Sequence, residues 1–368
     1  MLNILRWRSD RTPTTEITES WEEIECPVTD SQIRPFKIAV PDSKLEDLKW
    51  RLKHTRWPEE ATVSDWSQGL PLSTIKDLCS YWQHDYDWRQ CEKRLNSYPQ
   101  FLTEIDGLDI HFYHIRSKHE DALPMIMTGG WPDTIIALLP TIEPLIDPTR
   151  HGGKAKDAFH LILPTLPGFG FSGKPTKTGW GSAKIAAAWR ELMDRLGYHD
   201  RWVAQGGDWG ADIVAELASN SPPSSLIGIH MNTAFFDAKK ETQGSKMGLT
   251  EGEQRALALL EKWERAESAY LLEHATRPQT VGYSLADSPS GLLAWIFEKL
   301  SAWSQDEPGR QKDVLTMIPK KEVIDNIMVF WVTNSITSSM RLYWENGDNT
   351  ALPIDLPVGQ YYTLEGAR

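Results

Sequence analysis

Gln205-Gly206-Gly207-Asp208-Trp209-Gly210 decides how the rest of the chain is read. Its last five residues have the spacing of a nucleophile elbow, Gly-x-Nu-x-Gly, with aspartate where serine is usual. The glycines answer a steric need. The nucleophile of an elbow sits on a sharp strand-to-helix turn, and larger neighbours would clash. The flanks agree: Trp202-Val203-Ala204 reads as a short buried strand. Ala211 to Leu217 reads as the following helix, and Ser219-Asn220-Ser221-Pro222-Pro223 ends it. Taken alone, the pentapeptide reads more readily as a plain Gly-Asp turn; its surroundings favour the elbow.

A carboxylate in that position suits attack on a saturated carbon. In-line displacement leaves an ester on its own side chain. Water must then cleave the ester, which needs a general base and an oxyanion hole. Epoxides and alkyl halides fit this chemistry. The base is normally a histidine near the C-terminus, yet the last of the ten histidines is His274.

Working outward, 368 residues allow one large domain with an insertion, or two domains. The chain is 40% hydrophobic and 24% charged, as in a soluble globular protein. Its net charge of −12 disfavours nucleic acid or an anionic membrane as a partner. Cys26, Cys79 and Cys91 are too few and wrongly spaced for a disulfide framework or a zinc site. No stretch is long and apolar enough for a transmembrane segment, and the start has no signal-peptide core. A cytoplasmic protein is expected, without repeats or low-complexity segments.

Before the elbow, Phe36 to Pro41 reads as extended, and Asp42 or Ser43 as the cap of a helix from Lys44 to about Thr55. A second helix is predicted from Leu72 to His84, where Ile75, Leu78 and Trp82 recur at helical spacing. Phe101 to Ile105, Asp106-Gly107 and Leu108 to Ile115 read as a β-hairpin. Strands follow at Leu123 to Met127 and Phe159 to Leu163, with helices from about Thr134 to Leu145 and from Ala183 to Leu196. Another strand, Leu226 to Met231, comes after the elbow helix. Strands alternating with helices imply a mostly parallel, doubly wound α/β sheet. After about Asn232 the pattern turns helical: Leu249 to about Glu273, then about 290–302 and 319–330. Such a run suggests a helical lid over the sheet's C-terminal edge. A strand-like run returns at Leu356 to Thr363.

Six stretches resemble one family: PFKIAVPDSKLEDLKWRLKHTRWP (35–58), GGWPDT (129–134), LPGFGFSGKP (166–175), QGGDWG (205–210), ATRPQTVGYSLADSPSGLLAWIFEK (275–299) and TNSITSSMRLYWEN (333–346). The chain resembles the epoxide hydrolases of the microsomal-like branch of the α/β-hydrolases, with their N-terminal helical meander. The resemblance implies hydrolysis of an apolar epoxide to a vicinal diol, without metal or cofactor. By it Asp208 is the nucleophile, and the backbone N–H groups of Trp131 and Trp209 form the oxyanion hole. Tyr270 and Tyr343 match the two tyrosines that donate to the epoxide oxygen. A phenol is acidic enough for that and stays neutral at pH 7.

Two departures from the family pattern matter. Its HGWP motif is here Gly129-Gly130-Trp131-Pro132, so the histidine that helps order the loop is lost and a looser oxyanion hole is expected. The relay acid should follow Leu356-Pro357-Val358-Gly359; Glu365 stands near that place, one residue out of register, and the chain stops before the general-base histidine. The general base is therefore unassigned. If the protein ends there and the sequence is not a shortened gene model or a degraded gene copy, the ester on Asp208 is expected to form but to hydrolyse slowly. The last strand and helix of the fold are expected to be missing, leaving an open edge that a homo-oligomer could cover.

The division expected is meander and first hairpin at 1–120, hydrolase core at 121–232, lid at 233–315, and an incomplete return to the core at 316–368. Competing functions are a haloalkane dehalogenase, which also uses an aspartate elbow but needs a halide-binding tryptophan pair, and a non-catalytic homologue that binds a ligand or partner. Elsewhere, His111 and His114 fall on opposite faces of one strand and do not share a metal. Gly168-Phe169-Gly170 lacks the Gly-Lys-Ser/Thr of a phosphate loop. Asp287 reads as a turn or cap residue, and Asp212 as a surface residue of the elbow helix.

Overall fold

Eight strands form one mixed sheet in the order β1-β2-β3-β5-β4-β6-β7-β8. The computed structural model describes residues 33–219, 221–233, 250–304, 314–347 and 358–360. The strands are β1 (Ile33–Pro35), β2 (Gln100–Ile105), β3 (Leu108–Ile115), β4 (Leu123–Thr128), β5 (Phe159–Pro164), β6 (Trp202–Gly206), β7 (Leu226–Met231) and β8 (Val358–Gln360). The pairs from β1 to β3, and β3 with β5, are antiparallel; those from β5 through β8 are parallel. β2 and β3 join through Asp106 and Gly107, both left-handed at φ 50° and 77°, the backbone a two-residue hairpin demands.

The parallel half positions the site. From β4 the chain steps one way to β5, then crosses back over β4 to β6. The C-terminal ends of β4 and β6 therefore flank a switch point, where α/β sheets open a crevice. The loop after β4 begins at Gly129, and the turn after β6 carries Asp208.

The N-terminal helices are α1 (Asp42–Lys53), α2 (Leu72–His84) and α3 (Trp88–Leu95). Those wound about the sheet are α4 (Ile135–Ile146), α5 (Ser182–Arg195) and α6 (Trp209–Ala218). After β7 come α7 (Glu251–Ala266), α8 (Ala269–Thr276), α9 (Pro278–Asp287), α10 (Pro289–Trp303), α11 (Lys320–Thr333) and α12 (Ile336–Glu345). α1 and α2 pack on α10, α3 on α11, and α12 on α8 and α9. α2 turns Ile75, Leu78 and Trp82 inward, the stripe its spacing predicts, and Trp82 Nε1 donates to Met328 Sδ on α11.

Several boundaries differ from the sequence reading. The first strand falls at 33–35, ahead of the expected extended segment; Ile38 and Val40 instead donate their N–H groups to Asn96 and Glu92 side chains. α1 starts at Asp42 with Pro41 as its cap residue and no side-chain cap. The helix expected over Leu249 to Glu273 is two helices, α7 and α8. At the break Ser268 Oγ donates back to Glu264 O, and Lys299 Nζ reaches the Glu267 carbonyl and carboxylate. A hydroxyl that back-bonds in this way bends a helix. α3, α9 and α12 were not anticipated. Of the last strand-like run, 358–360 pairs with β7; the remainder lies outside the described residues.

Candidate active site

Asp208 sits between β6 and α6 at φ 52° and ψ −129°. A non-glycine residue held there stores roughly 1–3 kcal/mol of strain, which the surrounding packing must hold. The glycines make the turn possible. A Cβ on Gly210 would lie 1.9 Å from Thr128 O, and one on Gly130 would lie 2.0 Å from Asp208 Oδ1. With hydrogen there, the loop after β4 closes onto the carboxylate, and Trp131 N–H donates to Asp208 Oδ1 at 2.8 Å. The Trp209 backbone N–H donates to the same carboxyl. The Asp208 N–H is held by Thr233 Oγ1 at 3.2 Å.

Among the described residues no cation pairs with Asp208. Burial pushes its carboxyl up to about 6, against the pull of the Trp209 and Trp131 N–H groups. Tyr270 on α8 and Tyr343 on α12 are both buried. The Tyr270 ring stacks on Trp131, with centroids 5.3 Å apart and planes 13° apart. Tyr343 lies edge-on to Trp209 at 4.9 Å and to Trp131 at 6.2 Å. Burial first, then the charge of Asp208, raises both phenols far above their ordinary range. Both therefore stay protonated at any working pH. Among the described residues the Tyr343 hydroxyl makes no well-formed hydrogen bond, although Tyr270 and Trp209 lie close enough to perturb it.

The family described as "Epoxide hydrolase N terminus" matches residues 33–138, and that described as "alpha/beta hydrolase fold" matches residues 152–348. A Stigmatella aurantiaca protein named "Putative epoxide hydrolase" is 54% identical over 330 residues, 89% of this chain and 73% of that protein. "Epoxide hydrolase 1" of Oryctolagus cuniculus is 36% identical, over 86% of this chain and 73% of its own length. The crystal structure of juvenile hormone epoxide hydrolase from the silkworm Bombyx mori superposes with a TM-score of 0.81 at 32% identity, covering 90% of this chain and 82% of that one.

The chain belongs to the epoxide hydrolases.

In this epoxide hydrolase, Asp208, Trp131, Trp209, Tyr270 and Tyr343, singled out from sequence, come together in one cluster. Glu365 lies outside the described residues. Three further residues touch the cluster. Asn326 on α11 donates from Nδ2 to Pro132 O and accepts from Thr134 Oγ1, both at 2.8 Å, so it straps the loop that carries Trp131. Its signal was a polar residue inside an apolar helical run. Asp133, in the same loop, is pushed up to about 7 by burial and by the charge of Asp208. His274 follows Tyr270 by four residues, one turn along the same helix face. Its ring meets Trp131 at 4.7 Å and Tyr343 at 4.8 Å, edge-on in both cases.

His274 cannot act as a base in this geometry. Its Nε2 accepts from Trp295 Nε1 at 3.0 Å. An indole N–H only donates, so Nε2 holds the lone pair and Nδ1 carries the proton. Burial drops the ring to about 3, so it stays neutral.

The other flagged residues have local roles. His111 bonds Thr165 Oγ1 and Gln100 Oε1, each at 2.9 Å, while His114 bonds Tyr198 Oη at 2.7 Å. Asp287 is exposed and paired with Arg51 at 2.6 Å. Asp212 is half-buried in the first turn of α6. Cys79 and Cys91 are buried free thiols, and burial pushes Cys79 up to about 12. Among the described residues no helix is long and apolar enough to cross a membrane.

Proposed function

We propose that the site opens an apolar epoxide to a vicinal diol through a covalent ester on Asp208. The carrying observation is a carboxylate with no cation beside it among the described residues, held by two backbone N–H groups, whose charge reaches two protonated phenols. One carboxylate oxygen attacks an oxirane carbon and that carbon's bond to the ring oxygen breaks. The ring oxygen leaves as an alkoxide and takes the proton of Tyr343 or Tyr270. The product is a hydroxyalkyl ester.

Water then adds to the ester carbonyl and gives one proton back to the phenolate left by ring opening, and charge develops on the carboxyl oxygen. The Trp131 N–H, 2.8 Å from Oδ1, already lies within the 2.7–3.1 Å range of an oxyanion-hole donor. With the Trp209 N–H it holds that charge until the ester bond breaks; the departing alkoxide takes the second proton of the added water, so the diol leaves and the Asp208 carboxylate is restored. The rings of Trp131, Trp209, Tyr270, Trp303 and Tyr343 supply apolar walls, which favours an apolar substrate. We read α7 to α10 and α12 as a lid that carries the phenols over the sheet edge. A haloalkane would have no use for two phenols.

Peptide mapping after exposure to styrene oxide tests this reading. The expected result is added mass on Asp208, lost in Asp208→Asn and formed more slowly in Tyr343→Phe. An unmodified Asp208 would overturn it.

A further inference from the structure

Ring opening uses the carboxylate, two N–H groups and the phenols. It leaves three polar atoms of the same cluster unused. Among the described residues, Trp131 Nε1, Trp303 Nε1 and His274 Nδ1 are buried without a hydrogen-bond partner. The two indoles can only donate, and Trp295 fixes His274 as a donor at Nδ1. Their rings belong to one aromatic cluster, in which Trp131 and Tyr270 lie against both His274 and Trp303. Trp131 meets His274 at 4.7 Å and Trp303 at 6.3 Å, and Tyr270 touches all three. Buried donors are normally satisfied, so unmatched ones are rare and ask for an explanation. Three donors with no matching acceptor among the described residues, beside the nucleophile's own loop, describe a subsite for an oxygen acceptor.

We propose that the preferred substrates are oxygenated epoxides, with an ether or carbonyl oxygen a few bonds from the oxirane, and that Trp303 Nε1–H and His274 Nδ1–H receive that oxygen. The inference rests on the reading of Asp208 as nucleophile. A hydrocarbon epoxide fills the same space but leaves the donors unmatched, and a site built to hydrogen-bond a group discriminates against the analogue that lacks it. The subsite selects substrate and takes no part in bond breaking.

The test compares benzyl glycidyl ether with 2-(3-phenylpropyl)oxirane, which differ by one oxygen exchanged for CH2. The readout is the second-order rate of ester formation on Asp208 by mass spectrometry. The ether-to-hydrocarbon ratio is compared between variants, which cancels intrinsic reactivity and any loss of folded protein. Trp303→Phe and His274→Phe are each expected to lower the ratio about tenfold, the worth of one hydrogen bond. His274→Gln, whose amide can accept from Trp295 and still donate, should keep it. Equal slowing of both epoxides in Trp303→Phe and His274→Phe would overturn the subsite while leaving Asp208 as nucleophile. Failure of either epoxide to modify wild-type Asp208 would overturn the nucleophile reading itself, and the subsite with it.

Discussion

Asp325 on α11 and Asp208 at the elbow are carboxylates in dry surroundings, and the fold treats them differently. Asp325 is fully buried where α11 meets the N-terminal helices. It accepts from Tyr86 Oη at 2.7 Å and Lys321 Nζ at 2.6 Å, with Arg94 at 3.6 Å. Asp208 has backbone N–H groups, no cation among the described residues, and a strained φ. The first arrangement satisfies a charge and fixes two parts of the chain together. The second leaves a charge under-satisfied, which suits the nucleophile proposed for it. Asn326, next to Asp325, turns the other way and ties the loop of Trp131, so one helix serves both regions.

The largest effect expected is at Asp325. Removing one partner of a buried ionic network costs about 3–5 kcal/mol. Arg94 and Lys321 are each about one-third exposed and can turn to water. Asp325→Ala is therefore expected near 3 kcal/mol in urea unfolding, with the rate of ester formation per folded molecule unchanged. A loss below 1 kcal/mol would break the comparison from the structural side.

Asp208→Asn should act in the opposite direction. The folded carboxyl titrates at about 6, above the ordinary value of 3.8, so the native state binds the extra proton between those values. Wild-type stability therefore falls as pH rises from about 4 to about 6, by roughly 2–3 kcal/mol. The asparagine variant lacks this slope and is more stable than wild type at pH 7. Ester formation in wild type rises across the same window as the carboxylate ionises. Identical stability–pH curves for the two proteins would show that the elbow satisfies its charge after all.

Tyr343→Phe removes one of the two phenols from the proposed acid pair. Positioned acids contribute about 10²–10⁴-fold, and with Tyr270 still present a slowing near 10² is expected in single-turnover ester formation. Stability should hardly move, because the lost hydroxyl makes no well-formed hydrogen bond among the described residues. A large stability loss with an unchanged rate would make Tyr343 a packing residue.

What the sequence revealed divides along the same line. Local signals were legible. The stripe of Ile75, Leu78 and Trp82 placed α2, Asp106-Gly107 placed the hairpin, and the glycines around Asp208 placed the elbow. Tyr270 and Tyr343 were reached only through flanking stretches that resemble a family. What stayed hidden depends on partners distant in the chain. Lys299 reaches the break at Glu267, Trp295 sets the proton on His274, and Asn326 straps a loop 194 residues away. No local pattern encodes such pairings.

Asn326→Ala probes the strap. It leaves Pro132 O without its donor, a cost of about 1–2 kcal/mol. The sharper readout is the pH midpoint of ester formation. If Trp131 N–H drifts from Oδ1, the carboxylate loses a donor and its midpoint moves above about 6. An unmoved midpoint would confine Asn326 to packing.

The smallest effect concerns the two glycines that open the loop. Loss of the family histidine predicts a looser loop around Trp131, while Asn326 bonds Pro132 O and Thr134 Oγ1 within it. A Cβ on Gly129 would meet nothing within 4 Å, whereas one on Gly130 would strike Asp208. Gly129 also lies outside the left-handed region. Gly129→Ala should therefore stabilise by about 0.4–1 kcal/mol, by restricting the unfolded chain. The rate of ester formation decides what that stiffening means. An unchanged rate says that Asn326 already supplies the order the Trp131 N–H requires. A faster rate would say that the loop in the wild type wanders from the carboxylate, and that the under-satisfied charge of Asp208 reflects slack as well as design.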